Sequence, residues 1–265
     1  MKVSSNLHPH YLKDVIPLAF LCKSREESYK SDVDIYAGDF TLKSSSGFYQ
    51  ESSIRLGFLK SKFLLDNLEG TTKLWFLSPR YRILHRLRPQ LLRMIFEVLE
   101  VKLLQRGYTF MHSACIERKN EAILVCAPPD TGKTLTTIRL VTEYGFRYMS
   151  DDMTILGKDA FVYSYPISMT FHIVHLKELN LRISAKLVRS LKLRTILNRI
   201  PKMNKLIAPH VKINPQEIID NQKFSPKAKA SKIFFLEFGN DEIKKYLRKK
   251  LTGELFPSHV CTEIS

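Results

Sequence analysis

Hydrophobic and polar positions along this chain follow two periods, and the switches between them mark its organisation. Over residues 1–80 the apolar residues come in short, roughly alternating runs. Val33-Asp34-Ile35-Tyr36, Phe40-Thr41-Leu42 and Lys73-Leu74-Trp75-Phe76-Leu77 are punctuated by Gly38, Ser44–Gly47, Gly57 and Gly70. Such alternation between turn residues predicts strands, so this stretch reads as a small β-rich lobe. Val15–Cys22 reads as its first strand: it is too short to span a bilayer, it contains Pro17, and Leu21 stands where lipoprotein processing at Cys22 would want a small residue. Pro89 is then predicted to open a helix. Leu92, Ile95, Phe96, Leu99 and Leu103 fall on one face, Arg93, Glu97, Glu100 and Arg106 lie largely away from it, and Gly107 stops it.

Beyond Gly107 the pattern returns to strands. Gly107–Ile116 predicts one strand, Glu117–Asn120 a charged hairpin turn, and Ile123–Cys126 a buried strand. A turn rich in Pro and Asp follows, and Gly132-Lys133-Thr134 opens a run with helical periodicity that ends at Gly145, a residue suited to the left-handed C′ position. Phe146–Ser150 predicts a short strand delivering the adjacent carboxylates Asp151 and Asp152. After about Ile173 come a basic amphipathic stretch around Leu176–Leu206, a strand at Lys232–Phe238 and a charged helix around Asp241–Leu251. The fold class is therefore α/β, with a β-rich lobe over 1–85 and an α/β domain over 86–265.

A strand, a turn and a helix around G-K-[ST] are the parts of a phosphate-binding P-loop. Backbone N–H groups of the turn and of the helix N-terminus cradle phosphate oxygens, the Lys reaches the β/γ-phosphates, and the hydroxyl ligates Mg²⁺. The predicted nucleotide-binding residues are Asp130, Thr131, Gly132, Lys133, Thr134 and Leu135. The loop departs from G-x-x-x-x-G-K-[ST]: Ala127 replaces the first Gly, Pro128 and Pro129 each lack an N–H, and Asp130 adds a negative charge beside a polyanion. Two readings from other classes stand beside this one. The chain is a non-catalytic nucleotide-binding module weakened by those changes, or a basic nucleic-acid scaffold with a vestigial Gly-Lys-Thr.

Three matches in order carry a family resemblance: a strand bearing Met111-His112-Ser113-Ala114, the G-K-T loop, and Gly145-Phe146-Arg147-Tyr148-Met149-Ser150-Asp151-Asp152 one helix later. With these, Leu103–Asp152 resembles the catalytic core of the HPr kinase/phosphorylase family and its looser relatives, the HPr-kinase-related serine kinases. A weaker echo runs through Val162–Pro166 and back to Val33–Gly38. The resemblance implies a P-loop core with a mixed sheet, like the HPr kinase C-terminal domain and shared with phosphoenolpyruvate carboxykinases. It implies ATP and Mg²⁺ as cofactors and phosphoryl transfer to a hydroxyl, a serine of a peptide or protein or a small acceptor. No R-G-L-G-I-like segment, which carries dephosphorylation in HPr kinase/phosphorylases, follows here, so the chain resembles a relative and not an HPr kinase proper. HPr kinases proper are hexamers, which leaves a homo-oligomer open.

Such a transfer asks mainly for positioning and charge neutralisation. Lys133 would hold the β/γ-phosphates, Thr134 and Asp152 would ligate Mg²⁺, and Asp151 would accept the acceptor's proton, although the two Asp roles are interchangeable on sequence grounds. His112 would orient the acceptor or the γ-phosphate; its plainer reading is a core histidine.

Composition narrows the field further. The 265 residues are 44% hydrophobic, ample for a sizeable core. Cys22, Cys115, Cys126 and Cys261 are scattered without C-x-x-C spacing, which predicts no disulfide framework or zinc site and suggests a reducing cytoplasm. His172 and His175 read as packing or surface residues, with no third metal ligand nearby in sequence. The net charge of +16 is uneven: Arg182, Lys186, Arg189, Lys192, Arg194, Arg199, Lys202, Lys205 and Lys212 occur with no carboxylate between Glu178 and Glu217. This is a solvated face or a surface for an acidic partner. Nucleic acid is disfavoured, because the stretch has no aromatic for base stacking.

Overall fold

The structure, a computed structural model, describes residues 1–7, 12, 14–17, 21–22, 31–38, 48–53, 60–77, 84–129, 131–179, 184–201, 203–205, 207–237 and 260–263. The expected strand at Phe40–Leu42 and helix at Asp241–Leu251 lie outside these residues, as does Asp130. The chain is mixed α/β, with two mixed sheets, a two-stranded ribbon and four α-helices among the described residues. It divides into two units, Met1–Gly107 and Tyr108–Ser265.

In the first unit β1 (Val3–Ser5), β2 (Leu21–Cys22), β3 (Val33–Gly38), β4 (Phe48–Ser53), β5 (Lys60–Asp66) and β6 (Thr72–Leu77) form one sheet, ordered β2-β1-β3-β6-β5-β4. The links β2-β1-β3-β6 are parallel and β6-β5-β4 antiparallel. The alternation noted in the sequence buries Val33, Ile35 and Ala37 from β3 and Leu74 and Phe76 from β6. Helix α1 (Leu84–Leu104) belongs to this unit. It begins before Pro89, which is therefore its sixth residue and not its first: Leu84, Arg86, Leu87 and Arg88 are good helix formers that start it earlier. Its buried face is also rotated from the expected one, running through Leu91, Ile95, Val98, Leu99, Lys102 and Leu103. The buried Lys102 ammonium donates to the carbonyls of Leu68 and Gly70, tying the end of α1 to the β5–β6 turn.

In the second unit β7 (Tyr108–Met111), β8 (Ala114–Arg118), β9 (Glu121–Cys126), β10 (Arg147–Ser150), β11 (Thr154–Gly157), β12 (Phe161–Tyr163), β15 (Lys227–Glu237) and β16 (Val260–Glu263) form an eight-stranded sheet. The order is β10-β8-β9-β15-β12-β11-β7, with β16 also on β15. Only β9 and β15 run parallel. Lys119 and Asn120 both have positive φ (53° and 67°) and close the β8–β9 hairpin as a tight two-residue turn.

The single strand expected over Gly107–Ile116 is two. Ser113 N–H donates to the Met111 carbonyl at 2.9 Å, a tight turn that breaks the ladder at His112-Ser113. Strand β7 then pairs with β11 while β8 pairs with β9 and β10. Neighbouring strands lie about 4.8 Å apart, so a flat sheet would separate β7 from β8 by about 24 Å. Two intervening residues reach only about 10 Å, so the sheet curls back on itself. His112 sits at the corner.

Helix α2 (Lys133–Glu143) follows β9, and it lies on the sheet face that carries Ile116 and Ile123. The opposite face packs Cys115, Leu124 and Met149 with Val162 and Ala228. A ribbon of β13 (Met169–His172) and β14 (His210–Ile213), with α3 (Ile173–Glu178) and α4 (Ala185–Asn198), completes the unit. One core cluster joins Ile138, Leu140 and Val141 of α2 to Met169 and Phe171 of β13, Leu191 of α4 and Ile213 of β14. The helix and the ribbon are thus fixed to each other through shared apolar packing.

Candidate functional site

The candidate site is built where β9 stops and α2 starts. Gly132, the N-cap of α2, has φ 90° and ψ 16°, a left-handed conformation that Gly adopts without a Cβ penalty. No side chain caps the helix, so the N–H groups of its first turn remain available to an anion. Thr131 folds its hydroxyl back onto the Pro128 carbonyl at 2.6 Å, closing the loop beneath the helix.

The strand after α2 delivers the two carboxylates with opposite environments. Asp151 is 6% exposed, and its Oδ2 accepts a hydrogen bond from Thr134 Oγ1 at 2.9 Å. Its Oδ1 is buried without a partner. Burial, then repulsion from Asp152, push the Asp151 carboxyl up to about 6 against the opposing pull of Thr134, Lys133 and Lys212. Asp152 has a half-exposed side chain whose Oδ1 lies 3.2 Å from Lys133 Nζ and 3.9 Å from His112 Nδ1. His112 is itself exposed, which excludes the core-histidine reading: the corner between β7 and β8 turns it outward.

These groups face an open cleft of ≈ 650 Å³. Of the residues singled out from sequence, His112, Thr131, Gly132, Lys133, Thr134, Leu135 and Asp152 line it. Asp151 stands behind Thr134 and is not part of the wall; Asp130 lies outside the described residues. The far wall is formed by Thr170, His172, Val174 and His175, which sequence reasoning did not place in the site. The spacing of His172 and His175 was visible, but nothing local linked β13 to the loop before α2. Burial and the neighbouring His172 push the His175 imidazole down to about 4, so it is neutral, and its Nδ1 accepts from the His172 backbone N–H at 3.2 Å.

The oxygen donors Thr134 and Asp151, one carboxylate oxygen still unpartnered, suit a hard cation such as Mg²⁺. Among the described residues no group of three or more His, Cys, Asp or Glu could hold a metal by itself. Among the described residues Cys115 and Cys126 are free and buried, and burial raises both thiols, which removes them as nucleophiles here. No helix among the described residues is long and apolar enough to cross a membrane.

No protein-family model matches this chain, and no curated protein matches it.

Proposed function

We propose that the second unit is a P-loop phosphotransferase of the HPr-kinase-related serine kinase kind, moving the γ-phosphoryl group of Mg·ATP to a hydroxyl, most readily a serine of a peptide or protein. The observation that carries this reading is the convergence of Lys133, Asp152, Thr134 and Asp151, through contacts of 3.2 and 2.9 Å, at the mouth of an uncapped helix. The cleft volume falls in the range of small-ligand sites.

Within this reading the uncapped amides of α2 and Lys133 bind the phosphates, and the Lys133–Asp152 contact is exchanged for a Lys133–phosphate contact when nucleotide enters. Mg²⁺, when bound, neutralises charge on the transferring group. Geometry favours exchanging the Asp roles expected from sequence. Asp151, buried behind Thr134 and bonded to its hydroxyl with one carboxylate oxygen unpartnered, belongs with the metal ligands. Asp152, half-exposed in the cleft and beside His112, is placed to accept the acceptor's proton, and proximity to the reacting proton ranks ahead of pKa in choosing a base. His112 steers that carboxylate or the acceptor.

The test separates binding from chemistry. Asp152→Asn is expected to keep Mg·ATP affinity within about threefold while lowering γ-phosphoryl turnover by about 10² to 10⁴. Asp151→Asn is expected to weaken Mg·ATP binding itself. Calorimetric titration with Mg·ATP and γ-labelled turnover read the two effects. The opposite pattern, binding lost with Asp152→Asn and chemistry alone lost with Asp151→Asn, would restore the original assignment.

A further inference from the structure

The far wall of the cleft has no role in the reading proposed above, yet it is strongly patterned. Along β13 and β14 the side chains alternate. Met169, Phe171 and Ile213 are buried in the core and Val211 packs against it, which turns Thr170, His172, His210 and Lys212 to the other face. Thr170 and His172 line the cleft. The register sets Lys212 directly opposite Thr170 and His210 opposite His172, with the two imidazole centroids 5.1 Å apart. Lys212 is exposed and close enough to Asp151 to act on its charge. Arg194 of α4 acts in the same way on His210, so positive groups lead from the cleft onto that helix.

Helix α4 continues the path. Leu193, Ile196 and, just past its end, Ile200 are 57%, 60% and 46% exposed. Their spacing of three and four puts them in one stripe, opposite Leu191, the buried residue of the helix. Arg189 lies in line with the stripe, and Lys186, Lys192 and Arg199 rim it, all exposed. Fourteen helical residues make this surface about 21 Å long, more than a small molecule held in the cleft would use. An apolar stripe with only cations around it complements a chain segment that alternates carboxylates with apolar side chains. No Phe, Tyr or Trp occurs between Phe171 and Phe224 to stack on a base, which argues against nucleic acid.

We propose that α4 and the outward face of the β13–β14 ribbon are a docking surface for an acidic, apolar-bearing polypeptide segment, the acceptor itself, with Lys212 meeting the negative charge nearest the reacting hydroxyl. The identity of this segment as acceptor rests on the phosphotransfer reading; its docking does not.

The test uses the full chain and a labelled peptide of Glu residues with Leu at every third position and one Ser, read by fluorescence anisotropy in low salt without nucleotide. The same peptide with Gln for every Glu is expected to bind at least about tenfold more weakly. Leu193→Ser/Ile196→Ser and Arg189→Glu/Arg194→Glu are each expected to weaken the acidic peptide by about tenfold while leaving the Mg·ATP melting shift as in wild type. All four side chains are exposed, and the retained shift certifies the fold. Equal binding of the two peptides, or unchanged affinity in both double variants, overturns the docking surface. So does single-stranded DNA displacing the peptide at lower concentration, or light scattering that shows a dimer which Leu193→Ser/Ile196→Ser breaks. Wild-type chain that binds the peptide yet shows no Mg·ATP shift keeps the surface and removes the kinase reading.

Discussion

Asp151 carries a charge into surroundings that resist it, and this has a measurable consequence. An unfolded Asp titrates near 3.9, whereas burial raises the folded Asp151 to about 6. The folded chain therefore holds this proton more tightly. The stability that the protonated carboxyl contributes is fully present below about pH 4 and is lost as pH rises through about 6, a change of roughly 3 kcal/mol. Asp151→Asn, which mimics the protonated acid, is predicted to stabilise the ligand-free chain by up to about 3 kcal/mol near pH 7 and to change little near pH 4. Urea unfolding at the two pH values measures it, and a variant less stable near pH 7 would contradict the account. The convergence of Lys133, Thr134 and the Asp pair was legible in the sequence because strand, loop, helix and strand occupy one continuous segment. What was not legible was which Asp points inward: that depends on the bulge that pairs Ser150 with Cys115 rather than with Ala114, a feature of pairing with β8.

At the scale of elements, local signals succeeded where period and punctuation lie close together, as in the helix stop at Gly145. That residue has φ +73°, and a Cβ added there would meet nothing within 4 Å. Gly145→Ala should therefore cost only the left-handed backbone penalty, about 1 kcal/mol, with nucleotide affinity unchanged. At Gly132, φ 90° beside the amides proposed to bind phosphate, the same substitution is expected to cost similar stability and also to weaken Mg·ATP binding by at least about tenfold. Unfolding and titration of the two variants distinguish backbone strain from damage to the site; equal nucleotide affinity in both would argue against the loop. The sequence failed where element identity depends on distant partners. Nothing in Tyr108–Ile116 signals that β7 leaves for β11 while β8 stays with β9, and so the corner that carries His112 was unreadable, although the residue itself was singled out for the site. Helix α1 misled for a different reason: Pro89 is favoured at a helix start, but five helix-compatible residues precede it.

For the molecule as a whole, the chain divides into two units, and every described residue that lines the cleft belongs to the second. The curl of its sheet brings His112, Asp152 and Lys133 together from three places in the chain, and the shared core of α2 and the ribbon sets the opposite wall. Nine cations and no carboxylate fall between Glu178 and Glu217, the stretch that carries α4 and Lys212, which links the net charge of +16 to the proposed acceptor surface. The central claim is that this cleft binds Mg·ATP through Lys133. Its most direct measurement is the melting temperature of the chain with and without Mg·ATP, for wild type and for Lys133→Ala. At a nucleotide concentration of about one hundred times Kd the account predicts a stabilisation of about 2.7 kcal/mol in wild type, a rise of several degrees, and none in the variant. No rise in wild type, or an equal rise in Lys133→Ala, would contradict it.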